Sequence, residues 1–226
     1  MNHPSIKAIL FDLDGTLTHS APDLSTGINR MRAEYNLPSI DINGVVAMIG
    51  HGVRSLVANA MRDVTSKNPD FDLEQAYQRF AKHYHEVNGT DSVEFDGVTD
   101  TLKRLHAQGI KLGVVTNKAA EFALPLINTF AWSQWLDVIV CGDTLPIKKP
   151  KPEPILHACA QLGVTVDEIL YVGDSMTDVL TAQAAQCRCV VLSYGYNEGV
   201  PIREALAQKA LNIPIFDHIA QAVQLN

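Results

Sequence analysis

Hydrophobic positions along the chain fall into two patterns. The first is a set of short apolar runs. Ile6-Lys7-Ala8-Ile9-Leu10-Phe11 closes on Asp12-Leu13-Asp14-Gly15, as a buried strand running into a loop does. Similar runs occupy residues 110–115, 138–141, 169–172 and 189–192. The second pattern is amphipathic. Val98, Leu102 and Leu105 share a helix face before Gly109, and Ile155, Leu156, Cys159 and Leu162 do so before Gly163. Each glycine reads as a helix C-terminal cap. Pro125 interrupts a further helical stretch, whose start the pattern does not place. Strands alternating with helices predict an α/β fold, a Rossmann-like parallel sheet covered on both faces.

Between the first and second strands lie almost a hundred residues with helical stripes and no strand pattern. Leu24, Ile28, Met31 and Tyr35 form one stripe. Val53, Leu56, Val57, Ala60, Met61 and Val64 predict a single helix of about three turns. Leu73, Ala76, Tyr77, Phe80, Tyr84 and Val87 form a third stripe after Asp72, a good N-cap. A crossover between parallel strands needs far less chain. The expectation is therefore a helical module over 18–93 inserted into a core of 1–17 and 94–226, its stripes serving as packing.

With 46% hydrophobic and 19% charged residues, the chain of 226 can bury a sizeable core. Its 18 basic against 25 acidic residues give a net charge of −7. That predicts no general binding to nucleic acid or to anionic membrane. Residues 1–7 lack the basic-then-apolar pattern of a leader. The longest apolar candidate for a membrane span, 123–141, is broken by Pro125, Asn128, Ser133, Gln134 and Asp137. Cys141, Cys159, Cys187 and Cys189 form no Cys-x-x-Cys pair and no zinc spacing. Free thiols in a cytoplasmic protein are expected.

The acidic excess gains meaning from its placement. Asp12 and Asp14 follow one strand, Thr116-Asn117 a second, and Gly173-Asp174-Ser175 a third, with Asp178 one helical turn on. Ligands in open parallel sheets sit beyond the carboxyl ends of strands. Close carboxylates repel unless a cation intervenes. Lys148-Lys149-Pro150-Lys151-Pro152 offers positive charge on a stiffened loop. Four ionised aspartates and one lysine leave −3, which repels a phosphate dianion. A Mg²⁺ ion brings the site to −1, and hard oxygen ligands without His or Cys suit it better than Zn²⁺.

Asp12-Leu13-Asp14-Gly15-Thr16-Leu17, Thr116-Asn117, Lys149-Pro150 and Gly173-Asp174-Ser175-x-x-Asp178 resemble, in order, the four motifs of the haloacid dehalogenase-like superfamily. The inserted module resembles the cap of the subclass whose cap follows the first motif. Ser20-Ala21-Pro22-Asp23-Leu24, Ile49-Gly50-His51-Gly52, Thr116-Asn117-Lys118 and Tyr194-Gly195-Tyr196-Asn197 add a closer similarity to the bacterial phosphoglycolate phosphatases. The chain departs from these at Thr18-His19, where a small apolar residue and Asp are usual.

The resemblance implies a phosphatase acting through an aspartyl-phosphate on a small phosphorylated metabolite, foremost 2-phosphoglycolate. It makes Asp12 the nucleophile and Asp14 the acid and then the base. Two residues apart on an extended segment, both face one substrate. Thr116, Asn117 and Lys149 would hold the phosphoryl group. Mg²⁺ would lie on Asp12, Asp174 and the main-chain carbonyl of Asp14, with Asp178 reaching it through water. Substrate choice would come from the cap. Arg54, just after the Gly50-His51-Gly52 turn, is the first candidate for a substrate carboxylate and His51 the second. His83 and His85 share no helix face and receive no role. Another phosphomonoester, such as a sugar phosphate or N-acetylmuramic acid 6-phosphate, stays open as substrate. So does a non-catalytic binding protein on the same scaffold, although no motif residue is lost. A mutase or a dehalogenase fits less well. A monomer or a homodimer is expected.

Overall fold

The structure, a computed structural model, describes residues 5–224. Residues 1–4, read above for a leader, and 225–226 lie outside the described residues. The chain runs β1 (Ala8–Phe11), β2 (Thr18–His19), α1 (Ala21–Glu34), α2 (Ile42–Val46), α3 (Val53–Ala60), α4 (Arg62–Thr65), α5 (Leu73–Val87) and β3 (Val93–Glu94). It continues through α6 (Val98–Ala107), β4 (Lys111–Val115), α7 (Ala120–Asn128), β5 (Val138–Val140), α8 (Glu153–Leu162) and β6 (Ile169–Gly173). Last come α9 (Met176–Ala185), β7 (Arg188–Leu192), α10 (Ile202–Gln208), β8 (Ile215–Phe216) and α11 (Ile219–Ala222).

Six strands form one sheet in the order β5-β4-β1-β6-β7-β8, every pair parallel. Successive side chains of β1 enter opposite faces. Ile9 and Phe11 join one buried cluster with Val98, Leu102, Leu105 and Trp132. Ala8 and Leu10 join another with Ile155, Ala158 and Tyr171. Burial on both faces is why these strands read as continuous apolar runs.

A separate cluster fills the helical insertion: Leu24, Ile28, Met31, Leu56, Phe80 and Tyr84 pack together, joined from the sheet side by Phe122 and Tyr196. Asp72 caps α5 as expected, accepting the Gln75 N–H at 2.9 Å. The single helix expected over 53–64 is instead two. The Arg32 guanidinium takes the Ala60 carbonyl, and the Val64 N–H turns to Met61 O at 3.0 Å, so the ladder breaks at Met61. The stretch expected to lack strands holds β2 and β3, which pair antiparallel as the two connections between insertion and sheet. Two residues each are too few to show a period. The same brevity hid β8.

Candidate active site

The sheet order makes β1 and β6 neighbours where successive strands reverse direction across the sheet. Crevices for ligands open at this switch point, outside the strands' carboxyl ends. Asp12 leaves β1 there, Asp174 leaves β6, and Thr116 leaves β4 on the other side of β1.

Asp12 is fixed through one oxygen. Its Oδ1 accepts the Leu13 N–H at 2.7 Å and lies 2.9 Å from Lys149 Nζ. Lys149 is buried, and its ammonium also meets Asp178 Oδ1 at 2.8 Å and the Tyr171 hydroxyl at 3.0 Å. Asp178 is fully buried in the first turn of α9, where it forms a capping box with Ser175. Its Oδ2 accepts from the Asp174 and Ser175 N–H groups and from the Ser175 hydroxyl. Helix N-terminal amides favour a carboxylate in that position.

Asp174 accepts from Thr16 Oγ1 at 2.7 Å and from the Tyr196 N–H at 2.8 Å. The backbone closes on it from two sides. A Cβ at Gly15, whose φ is +90°, would sit 2.4 Å from Asp174 Oδ2, and one at Gly195 2.1 Å from Asp174 Cβ. Only glycine permits both approaches. Asp14 faces a different partner: Lys118 Nζ lies 3.0 and 3.3 Å from its two oxygens, and the Ser20 hydroxyl donates to it.

Burial pushes the Asp12 carboxyl up to about 7 despite the opposing Lys149 charge. Asp174 is raised well above the carboxylate range by burial and then by the Asp178 and Asp12 charges. Burial acts upward on Asp178 too, but Lys149, with the hydrogen bonds from Ser175 and Tyr171, outweighs it and holds this carboxyl low. Burial opposes charge on Lys149 and Lys118, yet their carboxylate partners raise both above the usual lysine range.

Asp12, Asp174 and Asp178 each bring a carboxylate oxygen within 4.8 Å of the others. Three clustered carboxylates against one shared ammonium are short of positive charge, and their hard oxygens suit Mg²⁺. The residues therefore fit the ion. The charge count needs one correction: the site contains two buried lysines, so the four aspartates leave −2 rather than −3.

The cleft over Asp12 encloses about 400 Å³, including space open to solvent. Asp14, Thr116, Asn117 and Lys118 form its floor, and Leu24, Ile49, Val53 and Leu56 of the insertion form its roof. The turn at 50–52 descends onto the sheet edge. Asn117 Nδ2 donates to Gly50 O at 3.0 Å and to Lys149 O at 3.2 Å, and Lys148 Nζ donates to His51 O at 2.9 Å. The expected cap cations are elsewhere. The His51 ring turns outward to Glu198 at 2.9 Å. Arg54 pairs with Glu74 and stacks over Tyr77 at 3.9 Å, with its side chain 62% exposed. Neither lines the cleft.

Sequence reasoning gave no role to Lys118, Ser20, Tyr171 or the loop after β7. Tyr194-Gly195-Tyr196-Asn197 builds the wall behind Asp174: the Tyr194 hydroxyl donates to Thr16 O and Asn197 Oδ1 accepts the Met176 N–H. The Tyr196 hydroxyl accepts the Ala21 N–H and lies 2.9 Å from His19 Nδ1, so the unusual His19 joins this loop to the start of the insertion.

Among known proteins, the model for haloacid dehalogenase-like hydrolases matches residues 9–192. A phosphoglycolate phosphatase of Thiobacillus denitrificans is 40% identical over 200 residues, 88% of each chain. One of Nitrosococcus oceani is 38% identical over 219 residues, 96% of this chain and 97% of its own. A crystal structure described as a predicted phosphoglycolate phosphatase from Haemophilus somnus 129pt superposes with a TM-score of 0.89 at 34% identity, covering 99% of both chains.

Proposed function

The chain belongs to the haloacid dehalogenase-like hydrolases, and from that premise we propose that it hydrolyses 2-phosphoglycolate to glycolate and phosphate with Mg²⁺. That it is a phosphoric monoester hydrolase follows from the family and from its relatives. The substrate is the one named in those relatives, and a cleft of modest size under an apolar roof suits a small ester.

In this reading Asp12 is the nucleophile. Lys149 and the Leu13 N–H hold Oδ1, which leaves Oδ2 to attack phosphorus in line. The P–O ester bond breaks as the aspartyl-phosphate forms, and Asp14 gives its proton to the leaving alkoxide. Asp14 then takes a proton from the water that releases phosphate and restores Asp12. Thr116 Oγ1 accepts the Lys118 N–H at 3.2 Å, so its own O–H is left for a phosphoryl oxygen. Both side-chain hydrogens of Asn117 are engaged by carbonyls, so its phosphate contact falls to its main-chain N–H. Lys149 spans nucleophile and phosphoryl group. Asp12, Asp174 and the Asp14 carbonyl would hold Mg²⁺. Asp178, its oxygens already taken by Lys149, Tyr171 and Ser175, would reach it through water. Bound there, the ion supplies positive charge to the phosphoryl oxygens.

The observation that carries the reading is Asp12 held on Lys149 at the sheet's switch point beside two further carboxylates. The test is a panel of phosphomonoesters with Mg²⁺ and with chelator. Phosphoglycolate should lead the panel, and chelator should abolish turnover. Asp12→Asn keeps the shape and removes the nucleophile, so turnover should fall to background with the fold retained. A variant within tenfold of the parent, only about 1.4 kcal/mol of barrier, would overturn the nucleophile's assignment.

A further inference from the structure

The roof of the cleft offers no charged side chain to a second negative charge. Leu24, Ile49, Val53 and Leu56 are apolar, and the turn between them contributes Gly50 and Gly52. His51 and Arg54 face outward to Glu198 and Glu74. Among the described residues lining the cleft, Lys118 is the one cation. It belongs to the sheet side, two residues past Thr116, and its side chain is 1% exposed.

Its position relative to the reacting atoms is specific. Nζ lies 3.0 Å from Asp14 Oδ1 and 3.3 Å from Oδ2. An ammonium carries three N–H donors; two serve the Asp14 oxygens, and the third is within reach of the Tyr84 hydroxyl, from which a substrate carboxylate would take it over. The Tyr84 ring lies beside it, centroid 5.0 Å from Nζ, and the buried Tyr84 hydroxyl faces the ammonium without meeting it at full hydrogen-bond geometry. A proton passing from Asp14 to the ester oxygen requires those two atoms to touch. Lys118 therefore sits next to whatever the leaving alkoxide carries on its adjacent carbon. In phosphoglycolate that group is a carboxylate, two bonds from the ester oxygen.

We propose that Lys118 determines specificity, its ammonium bridging Asp14 to a carboxylate of the substrate, so that the site selects phosphomonoesters with an acid group close to the ester oxygen. This rests on the reading of Asp14 and of the substrate given above. It moves recognition of the second anion from the cap to the strand edge that also performs the chemistry. The cap's contribution is then apolar enclosure, which strengthens a charge pair formed beneath it.

Two esters that differ in far-end charge test this: 2-phosphoglycolate and 2-hydroxyethyl phosphate. The readout is the ratio of their kcat/KM values, because disturbing Asp14 slows both alike. The parent enzyme should prefer phosphoglycolate. Lys118→Met should reduce that preference about ten- to a hundredfold, the range open to a charge-assisted hydrogen bond, with much of it in KM. Lys118→Arg should keep most of the preference. Lys118→Gln, which retains a donor to Asp14, serves if the Met variant fails to fold and should lose the preference likewise. Preference retained in the uncharged variants overturns the assignment and leaves the proposed activity standing. A parent enzyme that does not prefer phosphoglycolate overturns that activity and the assignment with it.

Discussion

Replacing Asp174 by Asn should stabilise the protein in chelator. The oxygens of Asp12, Asp174 and Asp178 lie within 4.8 Å of one another. At that distance and an effective dielectric of about 20, each pair of like charges costs at least about 3.5 kcal/mol. Neutralising Asp174 removes two such pairs, about 7 kcal/mol. Lys149, bonded to both neighbouring carboxylates, offsets about one of them. Asp174 also accepts from Thr16 and from the Tyr196 N–H, and turning these into neutral hydrogen bonds costs about 1 kcal/mol each. The balance is about 2 kcal/mol in favour of Asn, or a melting temperature higher by about 4–8 °C for a chain of this size.

The pH dependence follows from the same carboxylates. Asp12 rises from 3.8 to about 7 and Asp174 well above its ordinary value. A carboxyl raised on folding binds protons more tightly in the folded state. Stability in chelator therefore increases as the pH falls from above 7 toward 4. Asp178, held low, opposes this only as the pH drops through the ordinary carboxylate value. Asp12 alone accounts for at most about 4 kcal/mol across the window. Thermal melts of parent and Asp174→Asn in chelator at pH 8 and pH 5.5, repeated at pH 8 with Mg²⁺, give the assay. The variant should melt higher at pH 8, the gap should narrow at pH 5.5, and Mg²⁺ should raise only the parent. A variant that melts at or below the parent in chelator at pH 8 refutes the repulsion argument.

Two other substitutions have expected outcomes of opposite kinds. Arg54→Ala removes an exposed ion pair with Glu74, so phosphoglycolate turnover should stay within about twofold and stability within about 1 kcal/mol; a tenfold loss of kcat/KM would return the substrate cation to the cap. Asp23→Ala should be severe, because this fully buried carboxylate accepts the Gly89, Asp91 and Ser92 N–H groups at 2.8, 2.9 and 3.1 Å where the chain leaves the insertion. Stranding those donors should cost about 3–5 kcal/mol in a urea titration, and a cost under 1 kcal/mol would show that the return segment is held by other contacts.

What the sequence disclosed and what it hid differ in physical kind. β1, β4 and β6 were legible because burial on both faces leaves four or five apolar residues in a row, and their ends therefore marked Asp12, Thr116 and Asp174. β2, β3 and β8 have two residues each, so no period exists to read. The break at Met61 comes from Arg32, on another helix. Lys118 stood in view beside Thr116-Asn117, yet its partner Asp14 is 104 positions away. A pairing over that separation leaves no local pattern.

The turn at 50–52 was expected to bring a cation to the substrate, and in the structure it brings its main chain to the sheet edge. Its backbone makes the approach: carbonyls of Gly50 and His51 take donors from Asn117 and Lys148, and a Cβ at Gly52 would lie 2.8 Å from Asn117 O. The apolar neighbours Ile49 and Val53 face the cleft, and the charged His51 and Arg54 point outward to Glu198 and Glu74. Lys118 is rooted just past β4 beside Asp14, so the sheet edge places its charge at the chemistry. If the substrate's acid group meets Lys118, its ionic contacts come from the sheet edge and the roof adds apolar cover. Specificity and the phosphoryl chemistry then depend on one rigid edge, and the insertion is free to vary in everything except its fit over that edge.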